Sequence, residues 1–195
     1  MELAPRTNQI NRTREALLSA ARELMSEGKE VTLAKVAERA KTSRATVYRY
    51  FSDPSVLALD ATLDLDVMPT SELLKGLVDI RSRVHRVARY YLDFSRVHEA
   101  HFRQFLAETL KASLEAGTVK MRGARRVAAF AEALSPAHPF MESKEIDVLA
   151  KRLSMTTGME QLIILEDILR VDEATAHQLQ EGVVDALLDR YVPKF

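Results

Sequence analysis

The chain contains no cysteine, which excludes disulfides, thiolate metal centres and thiol nucleophiles and suits a reducing compartment. Long hydrophobic runs are missing too. The longest aliphatic stretch, Leu162-Ile163-Ile164-Leu165, falls far short of the roughly 20 apolar residues a membrane helix needs. Residues 1–9 hold no apolar core of a secretory signal, so a cytoplasmic protein without a membrane partner is expected. There is no glycine-rich phosphate loop, no nucleophile elbow and no HExxH zinc motif, so no enzyme and no cofactor is expected. His98 and His101 flank Glu99 at the edge of a periodic segment, where exposed histidines are common, and no metal site is assigned. Excess charge is also absent: 28 Lys and Arg balance 28 Asp and Glu. That balance argues against a protein that coats nucleic acid through bulk charge.

What is present points to a soluble helical protein. Hydrophobic residues make up 47% of the chain and charged residues 29%, the composition of a globular domain. With 195 residues there is core for one large or two small domains. All six prolines, Pro5, Pro54, Pro69, Pro136, Pro139 and Pro193, stand at the edges of periodic segments, as helices require. Apolar residues between them recur at steps of three and four, and no sustained period-two alternation predicts a strand. The charge is unevenly spread, with 10 Lys and Arg against 7 Asp and Glu over residues 1–55. A mildly basic head on an acidic body is compatible with one end facing phosphate.

The pattern predicts an all-α fold of about nine helices, four short and five long. The first covers 10–27 and stops near Gly28. A second opens after Thr32 and a third at Ser43, both good N-cap residues. A fourth opens at Asp53-Pro54, with proline at the first helical position, and runs to about 66. Longer helices are expected over 71–98, 100–116, 118–134, 142–169 and 172–191, with 135–141 as a loop. The expected domains are a three-helix helix-turn-helix head over 8–66 and a helical body over 69–195.

Residues 33–51 carry the functional signal. Leu-Ala-Lys-Val-Ala-Glu-Arg-Ala, then Lys-Thr, then Ser-Arg-Ala-Thr-Val-Tyr-Arg-Tyr-Phe reads as two short amphipathic helices joined by a tight turn. A recognition helix needs a thin inner stripe and a polar outer face for the major groove. Val47 and Phe51 supply the stripe, while Arg44, Thr46, Arg49 and Tyr50 are expected on the outer face. Arg44 can pair bidentately with a guanine edge and the Thr46 methyl can touch thymine. The hydroxyls of Tyr48 and Tyr50 suit phosphate oxygens. A plain helical hairpin with solvated arginines is the competing reading of the same residues.

Thr32-Leu-Ala-Lys-Val-Ala, followed by Ser43-Arg-Ala-Thr-Val-Tyr-Arg-Tyr-Phe51 and Leu57, resembles the N-terminal domain of tetracycline-repressor (TetR) family regulators over about residues 10–62. The resemblance implies a homodimeric repressor, less often an activator. It implies binding to a palindromic double-stranded operator and release by a small molecule held in the C-terminal domain. It places Arg44, Thr46 and Arg49 at base-facing positions and Thr32, Tyr48 and Tyr50 at phosphate-contacting ones, with Ser43 opening the reading helix among the DNA-binding residues. Two departures stand out. Lys41 occupies the turn position usually held by glycine, and Pro54 stands where a phosphate-binding lysine is common.

In the body, Leu179, Val183 and Leu187 form a stripe on the last helix and, with Leu162, are the expected dimer interface. The effector pocket is sought among Tyr90, Phe94, Phe105, Met155 and Met159, with Glu160 and Gln161 as polar anchors. The same side chains at helical spacing also suit an ordinary core. The alternative function is a helical small-molecule-binding or protein-interaction module without DNA activity.

Overall fold

The computed structural model describes residues 4–51, 53–65, 67–116 and 125–192, and every regular element among them is helical. In chain order these are α1 (Ala4–Ser26), α2 (Leu33–Arg39), α3 (Arg44–Tyr50), α4 (Pro54–Leu65), α5 (Thr70–Leu73) and α6 (Ile80–Val97). There follow α7 (Glu99–Ala116), α8 (Arg125–Ala133), a 3-10 turn (Ser135–Ala137), α9 (Ser143–Ser154) and α10 (Met159–Ile163). The last of these runs into a π-helical stretch (Ile164–Ile168) before α11 (Glu173–Tyr191). The expected stretch 117–124 lies outside the described residues.

The helices form two units: Met1–Val67 with Ala100–Ala124, and Met68–Glu99 with Arg125–Phe195. In the first unit, Leu17, Leu18, Ala21 and Leu24 of α1 close a core with Leu33 and Val36 of α2, Val47 of α3 and Leu57 of α4. Each such leucine, once fully buried, contributes roughly 1.5–3 kcal/mol of transfer free energy. Phe105 of α7 joins this core, which makes the second unit discontinuous in sequence. A buried ion pair between Arg14 of α1 and Asp60 of α4 crosses the core's edge, with side chains only 10% and 11% exposed. The Arg14 guanidinium also lies 5.9 Å from the ring centre of Phe51.

Two helix ends in this unit use one backbone motif. After α1, Gly28 N–H donates to the Met25 carbonyl and Lys29 N–H to that of Leu24, at 3.0 and 2.9 Å. After α2, Lys41 N–H donates to Glu38 and Thr42 N–H to Ala37, at 3.1 and 2.9 Å. Both are Schellman caps, which need a left-handed residue just past the helix. Gly28 supplies it at φ 65°, and Lys41 does so at φ 51°. For a side-chain-bearing residue that conformation costs roughly 1–2 kcal/mol.

In the second unit, Val84, Val87 and Tyr91 of α6 pack with Phe130 of α8, Leu149 and Leu153 of α9, and Val184 and Leu188 of α11. Two helices expected to be continuous are broken here. The 71–98 segment turns at Gly76 (φ 76°) and restarts where the Asp79 carboxylate accepts from Ser82 N–H at 2.8 Å. The 142–169 segment breaks at Gly158, which lies at φ 99° and opens α10 instead of sitting within a helix. Polar side chains hold that break. Thr157 Oγ1 donates to the Ala88 carbonyl at 2.7 Å. Gln180 Nε2 donates to the carbonyls of Ala88 and Thr156, both at 3.0 Å. The Arg126 guanidinium donates to the Thr157 carbonyl and fills the space a Gly158 Cβ would need. Leu162 and Leu165 are buried, but Ile164 is 42% exposed, so this aliphatic stretch is not enclosed on all sides.

A ladder of opposite charges registers α11 against α6. Arg81 pairs with Asp185 and Asp189, and His85 Nε2 lies 2.8 Å from Asp185 Oδ1. Arg89 reaches Glu181 at 3.6 Å, and His177 Nε2 lies 2.6 Å from Asp93 Oδ1. Arg96 closes the row at 3.7 Å from Glu173 and 3.0 Å from Glu166. Asp93, Glu173 and His177 present donor atoms within 4.8 Å of one another, and Arg89 and Arg96 are already their counter-ions.

The buried pair of the first unit generates a stability prediction. Asp60→Ala leaves the Arg14 charge buried and unpaired, so urea denaturation should show a loss of about 3–5 kcal/mol. The double variant Arg14→Met/Asp60→Leu should recover most of that loss, because packed apolar groups replace such pairs at little net cost.

Candidate nucleic-acid interface

The interface is built on α2, its turn and α3. Neither helix is long enough to be stable alone, and each is fixed at its start by a side-chain cap. Thr32 Oγ1 accepts from Lys35 N–H at 3.2 Å, and Ser43 Oγ accepts from Thr46 N–H at 3.1 Å. The Ser43 and Thr46 hydroxyls lie 2.9 Å apart, which turns the Thr46 hydroxyl back along the helix. Inward, Val47, Tyr50 and Phe51 are buried at the i, i+3, i+4 spacing of a helical stripe. Outward stand Arg44, Ala45, Tyr48 and Arg49, one contiguous face in which Tyr48 is 52% exposed.

That arrangement corrects one sequence assignment. Tyr50, expected on the outer face with its hydroxyl toward phosphate, is only 4% exposed and belongs to the core. The reason is period: Tyr50 follows Val47 by three residues and shares its side of the helix. The Arg49 guanidinium lies 5.5 Å from the Tyr50 ring centre. Thr32 and Thr46 are half-buried, while Ser43, Arg44 and Arg49 are exposed.

Electrostatics divides the cations of this unit into two groups. Lys29 pairs with Glu27 at 2.7 Å and Lys35 with Glu30 at 3.1 Å. Arg39 holds Glu27 at 2.8 Å and Glu23 at 3.1 Å. Hydrogen bonds from Arg39 and then Lys29 pull the Glu27 carboxyl down to about 2, so it stays ionised and neutralises them across the physiological range. Among the described residues Arg44 and Arg49 have no carboxylate partner. At the start of α4, hydrogen bonds from the Ser55 side chain (2.5 Å) and backbone N–H (2.7 Å) lower the Asp53 carboxyl.

Of the expected pocket residues, Phe105 and Met155 fall away from the others. Tyr90 stacks on Phe94 with ring centres 5.8 Å apart, and the Tyr90 hydroxyl accepts from Met68 N–H at 2.6 Å. Met159 is buried and Gln161 half-buried, and Glu160 carries the Arg126 guanidinium at 3.3 Å. Phe105, however, belongs to the core of the first unit, and Met155 is 73% exposed because it caps the end of α9 at the break. Thr156, Thr157 and Gln180, the buried polar groups of that break, were missed because nothing in the spacing marks them. Of the expected interface residues, Leu162 is fully buried and has no surface to offer a partner. Leu179 and Val183 are 44% and 53% exposed and line an open groove on α11 with Gly182, Ala186, Leu187 and Tyr191.

The two caps generate a second prediction. Thr32→Ala and Ser43→Ala should each lower the stability of the first unit by about 1 kcal/mol in chemical denaturation, with or without DNA present. A Thr32→Ala protein of unchanged stability would mean the threonine does no capping.

Comparison with known proteins agrees with this geometry. Residues 17–58 match the family model for bacterial regulatory proteins of the tetR family. The chain is 35% identical over 82 residues to an uncharacterised HTH-type transcriptional regulator, YdeS, of Bacillus subtilis (strain 168). That match takes in 40% of this chain and 41% of the length of the relative. A crystal structure of a TetR transcriptional regulator from Rhodococcus sp. RHA1 is similar over 91% of this chain and 96% of its own, at 21% identity and a TM-score of 0.44. No helix among the described residues is long and apolar enough to cross a membrane. Over residues 17–58, its N-terminal helices, the chain is similar to the tetR family of bacterial regulatory proteins.

Proposed function

We propose that the chain is a repressor that binds a palindromic DNA operator as a homodimer and is released by a small molecule. The observation that carries the reading is the outer face of α3. Arg44 and Arg49 stand exposed without carboxylate partners, while Lys29, Lys35 and Arg39 nearby are neutralised by glutamates. Cations left free on one helix face, next to ones that are paired, suit a phosphate and base-edge partner. Arg44 reads a guanine, Thr46 presents its methyl, and Tyr48 and Arg49 flank the groove.

Dimerisation is assigned to the second unit. Leu179 and Val183 of α11 and Ile164, Ile168 and Leu169 before it are exposed, apolar side chains that a partner subunit would take out of water. The charge ladder toward α6 occupies another side of α11, so the helix can hold its own subunit and still offer this stripe. Gly182 lies in the groove, and a Cβ there would meet nothing within 4 Å, which leaves room for a partner helix to approach. The effector is assigned to the same unit, where Tyr90, Phe94, Met159, Glu160 and Gln161 supply aromatic, apolar and polar groups of the kind ligand pockets use.

Selection of bound duplexes from a random pool, followed by a screen of metabolites for release, tests the reading as a whole. Two variants sharpen it. Arg44→Ala should cost about 1–3 kcal/mol on the selected site and relax specificity at one base pair, whereas Tyr50→Phe, a core ring, should bind as the parent does. Equal loss on every sequence would make Arg44 a phosphate contact. Val183→Glu, which places an unpaired charge in a dry interface, should give monomers in light scattering with orders of magnitude weaker operator binding. A dimeric Val183→Glu protein that binds normally would move the interface off α11.

A further inference from the structure

We propose that Lys41, in the turn between α2 and α3, is a phosphate-contacting residue that anchors the reading head to the backbone of double-stranded DNA. The assignment rests on the DNA-binding reading above and adds to it a contact made from the turn itself.

The backbone of this turn has no use for a lysine. The two hydrogen bonds of the cap come from Lys41 N–H and Thr42 N–H, and both need only a left-handed residue at position 41. The end of α1 forms the same pair of bonds with Gly28 at φ 65°, the residue that reaches this region without a steric penalty. At φ 51° Lys41 carries that penalty. A strained residue persists where something else requires its side chain, and such positions cluster at functional sites. Arg170, at φ 54°, is the other such residue among those described and lies in the second unit.

Folding within the subunit does not require the side chain either. Lys41 is exposed, and its side chain enters no ion pair, hydrogen bond or ring contact among the described residues. Every other lysine of the first unit up to this point is held by an acid: Lys29 by Glu27 and Lys35 by Glu30. The ammonium of Lys41 is therefore free for an outside anion.

Position identifies that anion. In a helix-turn-helix the first helix crosses the sugar-phosphate backbone and the second enters the major groove. The turn between them passes over the groove's edge, where phosphates line up. Lys41 lies three residues before Arg44, in the turn that leads into α3. The following segment offers no comparable cation, since Asp53 is held as a carboxylate by Ser55 and Pro54 is neutral. A lysine is a compact point charge on a flexible stem, which suits a phosphate better than a base edge. The contact should add affinity for any sequence and carry no sequence preference.

Salt titrations of the full chain on a random-sequence duplex and on its selected operator test the assignment, with thermal unfolding run beside them. Lys41→Gln should flatten the slope of log K against log salt by about 0.9 on both duplexes. Lys41→Gly should flatten it equally while raising Tm, since it removes both the charge and the strain. Lys41→Arg should keep the parent slope. Lys29→Gln, which deletes an equal charge from a paired site of the same unit, should leave the slope where it is. A parent slope retained in Lys41→Gln overturns the assignment, as does a Lys29→Gln protein whose slope falls just as far, because net charge alone would then be at work. A parent chain without salt-dependent affinity for any duplex overturns the DNA-binding reading and the Lys41 assignment together.

Discussion

The position of α3 depends on the small core beneath it, and that core is tied at its edge by one buried ion pair. Arg14 reaches from α1 to Asp60 on α4 and lies over Phe51, the residue that ends α3. Neither short helix can persist on hydrogen bonds alone. Val47, Tyr50 and Phe51 hold α3 by burial, while Arg14 links its C-terminal end to the two longer helices of the unit. A seven-residue helix thereby acquires a defined orientation, which reading base edges requires. Unpaired, the same arginine would be a liability, because a buried charge without a partner costs several kcal/mol.

Charge is distributed with a similar economy in both units. In the first, glutamates on α1 and its following turn neutralise Lys29, Lys35 and Arg39, while Lys41, Arg44 and Arg49 on the turn and α3 have no such partner among the described residues. In the second, Arg81, His85, Arg89 and Arg96 of α6 meet acids and a histidine of α11 along one seam. Exposed pairs of this kind contribute little each, about 0–1 kcal/mol, but a row of them at four-residue spacing sets the register of two helices. With that seam fixed, Leu179, Val183 and Ala186 face away from it. The zero net charge of the chain therefore conceals unpaired positive charge on the turn and outer face of α3.

Much of this was legible in the sequence because it depends on local chemistry. Thr32 and Ser43 are short polar side chains ahead of periodic runs and mark the start of α2 and α3 as their chemistry dictates. The glycine at 28 announces the end of α1 by the same logic. What escaped notice depends on tertiary structure. Gly158 sits in a run whose apolar spacing reads as one helix, and the break is maintained by its neighbour Thr157 and by Gln180 and Arg126 from two other places in the chain. Tyr50 carries a hydroxyl that suggests water or phosphate, yet its period with Val47 decides for the core. Met155 and Phe105 look alike as apolar residues at helical spacing, and only packing separates an exposed side chain from one buried in the first unit.

The central claim is that α3 enters the major groove and reads guanine through Arg44. Methylation interference on a selected duplex tests it most directly, since a methyl group on guanine N7 blocks the major-groove edge and leaves the minor groove open. The account predicts interference at guanines in two patches about 10–10.5 base pairs apart, or a multiple of that spacing, on one side of the duplex. Arg44→Ala should lose that interference at one guanine in each patch. Interference confined to adenine N3 in the minor groove, or binding indifferent to N7 methylation throughout, would contradict it.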